Sequence, residues 1–525
     1  MKKYFSSRGP GFTVTAMIAV TLLAKALGLI RQMMTAGIFA ASPEGIAFSA
    51  ASGIPLAVFD MLFSTAVLGS FLPIYKSKLQ KNFQSSKVFS SSFLSAVLLV
   101  TSAVSMIGIV FARPILLLAA PDLDGETASL AVTILRMMFP AMIFAGAAYT
   151  LVGILQSHEH FLLPAFVSAF SNLVMILYLG FCPMPIGRNS VFGLAGAYLL
   201  SWAIQFFVLS IPLFRKRIFP KPTKKIWTVD IKLASSRSLP VMFGSWLIPM
   251  TSLIAKSFSS FIDGETIESG AYAGTAIIIY ENAFSVFSIA SGLLTYGICN
   301  YIFPKLSECA AVGNEKGFSR LMEKGVFASL VLVLPICTAV FLLSEEIIAF
   351  LYLRGNFTQG LVQAAADGLR VLSVAMPAYG MTELFSRVCY ACGKVKFPMI
   401  ASLGGILISF LMNGAFYLGD ILSVKTVSLA SVFGQMVACG ILLSFCVCSF
   451  QKTRIFCLKK ITLLLFGWML TSVFMWFCRN YFRQILHFSD TFKNFLMIAI
   501  VFAGGFVVYL IWLMLIGKLP LKHNP

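Results

Sequence analysis

"KALGLIRQMMTAGIF", Lys25 to Phe39, is the stretch on which the fold turns. It completes an apolar run that begins near residue 12 and is long enough to cross about 30 Å of hydrocarbon as a helix. Yet it carries two cations, Lys25 and Arg31, six residues apart. On a helix Arg31 lies about 9 Å beyond Lys25 and about 120° around the axis, so the two line a curved wall instead of forming one clamp. A charge at mid-span costs roughly 2.5–3.5 kcal/mol on insertion scales, so both must face water, a counter-charge or an anion, not lipid.

Outward from this stretch the pattern recurs from end to end. With 58% hydrophobic and 11% charged residues, 50 Phe and a mean hydropathy of +0.89, the chain is far too apolar for a soluble domain, which carries about 25% charged residues. Fourteen hydrophobic stretches are expected to span, near 12–39, 45–75, 88–112, 127–156, 161–182, 190–214, 233–262, 267–303, 325–352, 361–392, 397–418, 423–450, 461–478 and 494–516. The expected fold is therefore an all-α polytopic membrane protein. The first stretch reads as a retained helix, since its apolar run is too long for a signal peptide's core and contains two cations.

Of the 40 Lys and Arg, 26 fall in the termini and the even-numbered loops, against 7 in the odd-numbered loops with Lys425 at a span edge counted among them. Glu44, Asp122, Asp124, Glu126, Asp263, Glu265, Glu268, Asp420 and Asp490 sit on the side opposite the basic one. The asymmetry predicts both termini in the cytoplasm. The basic runs Arg215–Lys225 and Gln451–Lys460 are expected to meet anionic lipid, so the net charge of +20 does not point to nucleic acid. The Cys389-x-x-Cys392 pair, without His or a second pair nearby, reads as small packing residues.

The chain also matches itself. "LLAK" ending at Lys25 pairs with "LIAK" ending at Lys256, and Pro73 with Pro304, both 231 residues apart; Arg136 pairs with Arg370, and Pro164 with Pro398, both at 234. Ordered matches at nearly one offset predict two six-helix lobes, 1–220 and 221–455, in a parallel pseudo-twofold repeat, followed by helices 13 and 14 in 456–525. Two such halves would be related about the membrane normal, with a site at their interface. Lys25 and Lys256 become candidate mates lining a cationic cavity. Lys256 has a second reading as a snorkelling side chain near its helix end. Asp60 and Glu281 are candidate coupling or counter-ion groups. Arg370 and Arg387 are expected to pair with Asp367 and Glu383, and Asn172, Gln205, Asn413 and Gln435 to join helices.

"AKALGLIRQMMTAGIF", "SFLPIYKSKLQ", "GILQSHEHFLLPAFVSAFSNLVMI", "FPKLSECAAVGNEKGFSRLMEKG" and "LYLRGNFT", in this order, resemble the landmarks of the MurJ (MviN) family of lipid II flippases, in the multidrug, oligosaccharidyl-lipid and polysaccharide exporter superfamily. The resemblance covers roughly residues 12–415. It implies fourteen helices and a transporter, not an enzyme, which moves an undecaprenyl-pyrophosphate-linked peptidoglycan precursor to the outer leaflet of a bacterial cytoplasmic membrane by alternating access. It implies Arg31 and Lys25 as substrate-binding positions with Lys256 compensating, cell-wall synthesis proteins as partners, and no cofactor beyond coupling to the membrane potential or a monovalent ion. The departures are Lys25 in place of Arg, Gln32 after Arg31, Asp60 where an Arg is expected, and Glu281 in "YENAF" without an Arg. Two rivals remain: an ion-coupled exporter of drugs or of another polyprenyl-linked saccharide, favoured by Asp60 and Glu281, and a membrane glycosyltransferase using Asp122, Asp124 or Glu126.

Overall fold

The computed structural model describes residues 10–64, 71–158, 160, 162–181, 186–449, 458–485 and 490–518; the first nine residues and 451–457 of the second basic run lie outside them. The described residues form helices joined by loops, with no strand among them: α1 (Pro10–Phe39), α2 (Pro43–Phe59), α3 (Leu72–Lys81), α4 (Phe83–Val110), α5 (Ala112–Ala119), α6 (Gly125–Met138), α7 (Ala141–Ser157), α8 (Leu162–Gly180), α9 (Arg188–Arg215), α10 (Val229–Gly244), α11 (Leu247–Ser259), α12 (Thr275–Ala311), α13 (Glu315–Leu342), α14 (Ser344–Tyr352), α15 (Gln359–Ser373), α16 (Met376–Ala391), α17 (Lys396–Leu418), α18 (Val424–Ser449), α19 (Leu458–Ile485) and α20 (Asp490–Lys518). Each expected span falls on one of these helices or on a consecutive pair. Eleven segments are long and apolar enough by themselves to cross a membrane. This is an all-α multi-pass membrane protein.

Side-chain caps start several helices. The Ser42 hydroxyl accepts from the Gly45 amide (3.2 Å), with Pro43 in the first turn of α2, and Asn82 and Asn314 do the same for α4 and α13. Three expected spans break at a proline, while the ninth divides at Leu343, between α13 and α14, without one. Pro140, Pro249 and Pro377 lack the amides that would bond the carbonyls of Arg136, Ser245 and Ser373, so the fourth, seventh and tenth spans each become two helices, α6–α7, α10–α11 and α15–α16. Pro55, Pro212, Pro304 and Pro335 instead remain inside continuous helices.

The chain forms two compact units: the described residues up to Phe261 with Tyr272–Ile278, and Ile262–Ala271 with the residues from Ile279 onward. In the first, α2, α5, α6, α7 and α9 enclose a core around Phe59, Leu135, Met138, Phe139 and Leu194. A second cluster of aromatic rings, Phe71, Tyr75, Phe89 and Phe93, packs α3 and α4 against α7 and α9. The seventh span, which the repeat assigns to the second lobe, makes its contacts in this unit. Trp246 Nε1 donates to the Met61 carbonyl (2.9 Å), Ser257 Oγ to that of Leu118 (2.9 Å), and the Asp122 amide to Ser260 Oγ (3.4 Å).

In the second unit α17 and α18 pack closely through small residues. A Cβ at Gly434 would come 2.6 Å from the Gly405 carbonyl oxygen, so only glycine allows that approach. Between α13 and α19, the Thr338 hydroxyl meets Ser472 Oγ (3.2 Å) and accepts from Trp468 Nε1 (2.6 Å).

Candidate functional site

The rotation of α1 is set by α8. Asn172 Nδ2 donates to the Ala24 carbonyl (3.2 Å) and to that of Ser168 in its own helix (3.1 Å). Gly28 makes room for it, since a Cβ there would lie 3.4 Å from the same nitrogen. Asn172 thus joins two helices, as Gln435 does by donating to Thr382 Oγ1 (3.0 Å). Asn413 differs from expectation, because it donates to the Ser409 carbonyl of its own helix.

With α1 held this way, Lys25 and Arg31 are both half-buried in an apolar span. Arg31 donates through a terminal guanidinium nitrogen to Met175 Sδ on α8 (3.4 Å). Lys25 makes neither a hydrogen bond nor an ion pair among the described residues. Its ammonium is the more exacting case, since a cation in this setting needs water or an anion.

Asp60 opens a π-helical turn, Asp60–Ser64, that continues α2. Such turns widen the helix locally and recur at functional sites. Asp60 and Arg31 both lie near the buried Tyr198, and Asp60 also near Tyr149, so the structure brings Asp60 and Arg31 into one neighbourhood of the first unit.

Lys256 is placed differently from Lys25. It is only 7% exposed, and its Nζ donates to the Ser49 carbonyl on α2 (3.2 Å), over Gly53, where a Cβ would lie 3.2 Å from the ammonium. It therefore docks α11 onto α2 and does not reach along the helix toward the interface, as a snorkelling side chain would. Glu281 lies in the second unit, half-buried on α12, next to Tyr280, whose hydroxyl meets Ser431 (3.2 Å). The pairings expected from spacing are present: Arg370 with Asp367 (3.2 Å) and Arg387 with Glu383 (2.8 Å), the latter guanidinium lying over the Phe303 ring. Of the acids expected opposite the basic side, Asp124 accepts from Thr127 (3.1 Å) and Glu126 lies 3.7 Å from Arg188.

One ionic group escaped the sequence reading. Arg479 on α19 is held by Glu346 (2.8 Å) and Glu345 (3.7 Å) of α14. A lone Arg directly after an apolar run, with an adjacent acid pair at the head of another helix, is the signal that could have drawn attention to it. The second unit also carries an open apolar groove of about 660 Å³ along α13, α16 and α19, lined among others by Phe341, Pro377, Trp468, Trp476 and Phe477.

Comparison with known proteins agrees with this architecture. The model of the family described as lipid II flippase MurJ matches residues 35–510. A probable lipid II flippase MurJ of Bdellovibrio bacteriovorus is 26% identical over 393 residues, covering 74% of this chain and 73% of its own. The lipid II flippase MurJ of Burkholderia cenocepacia is 24% identical over 404 residues, 75% of this chain and 76% of its own. Among solved structures, a lipid II flippase MurJ in an inward closed conformation superposes with a TM-score of 0.72 at 20% identity, covering 96% of this chain and 98% of that one. An inward-facing multidrug MATE transporter of the MOP superfamily does so at 0.66 and 13%, covering 84% and 99%, so the fold is shared beyond the family. With the family match running over residues 35–510, most of the sequence though not the part of α1 that carries Lys25 and Arg31, the chain belongs to the lipid II flippase MurJ family.

Proposed function

We propose that the protein carries lipid II, or a precursor with the same polyprenyl-pyrophosphate linkage, across a bacterial cytoplasmic membrane from the inner to the outer leaflet by alternating access. The observation that carries this is the half-buried Lys25 ammonium, without a partner among the described residues, on the same helix as Arg31. Together they supply an anion-seeking wall within an apolar span. A guanidinium binds phosphate oxygens in a bidentate fork, while an ammonium adds charge without fixed geometry. Lys256, already held by the α2 backbone, contributes positive potential and helix docking more than direct contact. The apolar groove along α13 and α19 suits a polyprenyl tail that stays in lipid while the headgroup crosses.

On this reading the protein is a transporter with no chemical step, and both termini are cytoplasmic. With the interior negative, outward movement of an anion is favourable by about 2.3 kcal/mol per charge per 100 mV, so the membrane potential assists without a cofactor. A coupling ion would act at Asp60, whose neighbourhood includes Arg31. The further partners are anionic lipids at the basic loops and cell-wall synthesis proteins. Purified protein in vesicles with fluorescent lipid II tests the reading: exchange of label between leaflets supports it, polymerisation assigns an enzyme, and export of cationic dyes without lipid exchange assigns a drug exporter.

A further inference from the structure

Where α14, α19 and α20 meet, the second unit holds a polar site that the transport reading does not use. Arg479 donates through Nε to Oε1 of Glu346, and Arg483, about one turn further along α19, lies 3.6 Å from Glu345 Oε2. Glu346 is more than nine-tenths buried, and its other oxygen, Oε2, has no hydrogen-bond partner. Glu345 and Glu346 line a cavity of about 200 Å³ together with Arg483, Lys493, Asn494 and Gln359. Lys493, half-buried in the first turn of α20, makes no ion pair or hydrogen bond among the described residues.

The lining thus has two opposite deficits, a buried carboxylate oxygen without a donor and a cation without an anion. Buried polar atoms are rarely left this way, and a bound molecule is one way to satisfy them. A metal or ammonium ion would answer Glu346 but leave Lys493 and Arg483 repelling it. An isolated phosphate would answer the cations and leave Glu346 bare. One group carrying both an N–H-bearing cation and a phosphate answers both.

Position narrows the source. The site lies at the end of α19, the start of α20 and the helix directly following α13, which is the depth of lipid headgroups. Tyr481, Phe492 and Phe495 are exposed around it, as aromatic side chains are at a membrane interface. The geometry points to a binding site for the zwitterionic phosphoethanolamine headgroup of a membrane lipid, its ammonium on Glu346 Oε2 and its phosphate on Lys493 and Arg483.

The test uses the full chain in detergent, with thermal unfolding and lipid retention in native mass spectrometry read against added lipids of matched acyl chains. Phosphatidylethanolamine should raise the melting temperature and be retained about tenfold better than phosphatidylcholine, whose ammonium has the same charge but no N–H donor. Phosphatidylglycerol, with no cation, should also be retained less well. Lys493→Gln should weaken retention of both lipids while leaving the melting temperature without lipid unchanged, and Glu346→Gln should remove the ethanolamine preference. Soluble glycerophosphoethanolamine should produce a smaller shift of the same sign, showing recognition of the headgroup. Equal retention of the ethanolamine and choline lipids, stronger retention of phosphatidylglycerol, undiminished retention in Lys493→Gln, or an unchanged preference in Glu346→Gln overturns the proposal.

Discussion

Replacing Arg479 by Ala should destabilise the second unit more than any other single charge removal discussed here. The guanidinium is 14% exposed and its partner Glu346 7%, at 2.8 Å, so the pair is desolvated and its two members depend on each other. Truncation leaves a buried carboxylate with neither oxygen satisfied. Breaking a buried pair in this way costs about 3–5 kcal/mol. Glu345 and Arg483 do not compensate, because at 28% and 53% exposure and 3.6 Å their attraction is worth no more than about 1 kcal/mol. Arg479→Lys should lose less, because an ammonium still reaches one oxygen but not both acids. The double variant Glu346→Leu, Arg479→Leu removes both charges together and should come within about 1–2 kcal/mol of the parent. A double-mutant cycle read by denaturant unfolding in a fixed detergent measures the coupling. Single and double variants destabilised by equal sums, with no coupling, would refute the account of a mutually dependent buried pair.

Other consequences follow from the same structure. Cysteines placed singly at Thr223 and Ser85 in a Cys-free background should resist an impermeant thiol reagent added outside intact cells, while one at Gly125 should react; labelling at the first two reverses the topology. Gly434→Ala should cost about 1–3 kcal/mol, because its Cβ would meet a backbone carbonyl that cannot turn away, and an unchanged melting temperature would refute the close approach of α17 and α18. At the end of α7, burial, then the charges of Lys216 and His160, hold His158 below the usual imidazole range while it bonds the Tyr75 hydroxyl at 3.2 Å. Its folded pKa lies below its unfolded one, so the unfolded chain binds the proton more readily and stability falls as pH drops below about 6.5. His158→Gln should flatten melting curves compared between pH 7.5 and 5.5, and an unaltered pH slope would show that His158 does not set it.

The spans were legible because each apolar run is long and uninterrupted, and because short-range pairs declare themselves. Arg370 with Asp367 and Arg387 with Glu383 are one helical turn apart, so spacing alone brings them together. What escaped depends on which surfaces meet. Lys25 and Lys256 end matching tetrapeptides, yet one is half-exposed and unbonded while the other is buried on a carbonyl, because Gly53 happens to leave space on α2 for Lys256. Arg479 and Glu346 are 133 residues apart, a separation no local pattern encodes. Three of the broken spans were readable in principle at Pro140, Pro249 and Pro377, but four other prolines sit within unbroken helices. Neighbouring helices in a membrane can take up the freed carbonyls, so sequence does not separate the two outcomes.

The central claim is that the cations of α1 engage a phosphate during transport, and lipid II flipping by Arg31 and Lys25 variants tests it most directly. The measurement is growth of a flippase-depleted strain expressing each variant, with membrane abundance checked, alongside leaflet exchange by the purified protein. Arg31→Ala should abolish both at normal abundance. Arg31→Lys should retain part of the activity, since it keeps the charge and loses the fork. Lys25→Ala should weaken transport less, and Lys25→Arg should be tolerated. Full growth and wild-type exchange with Arg31→Ala at normal abundance would contradict the account, leaving Arg31 a packing residue held against Met175.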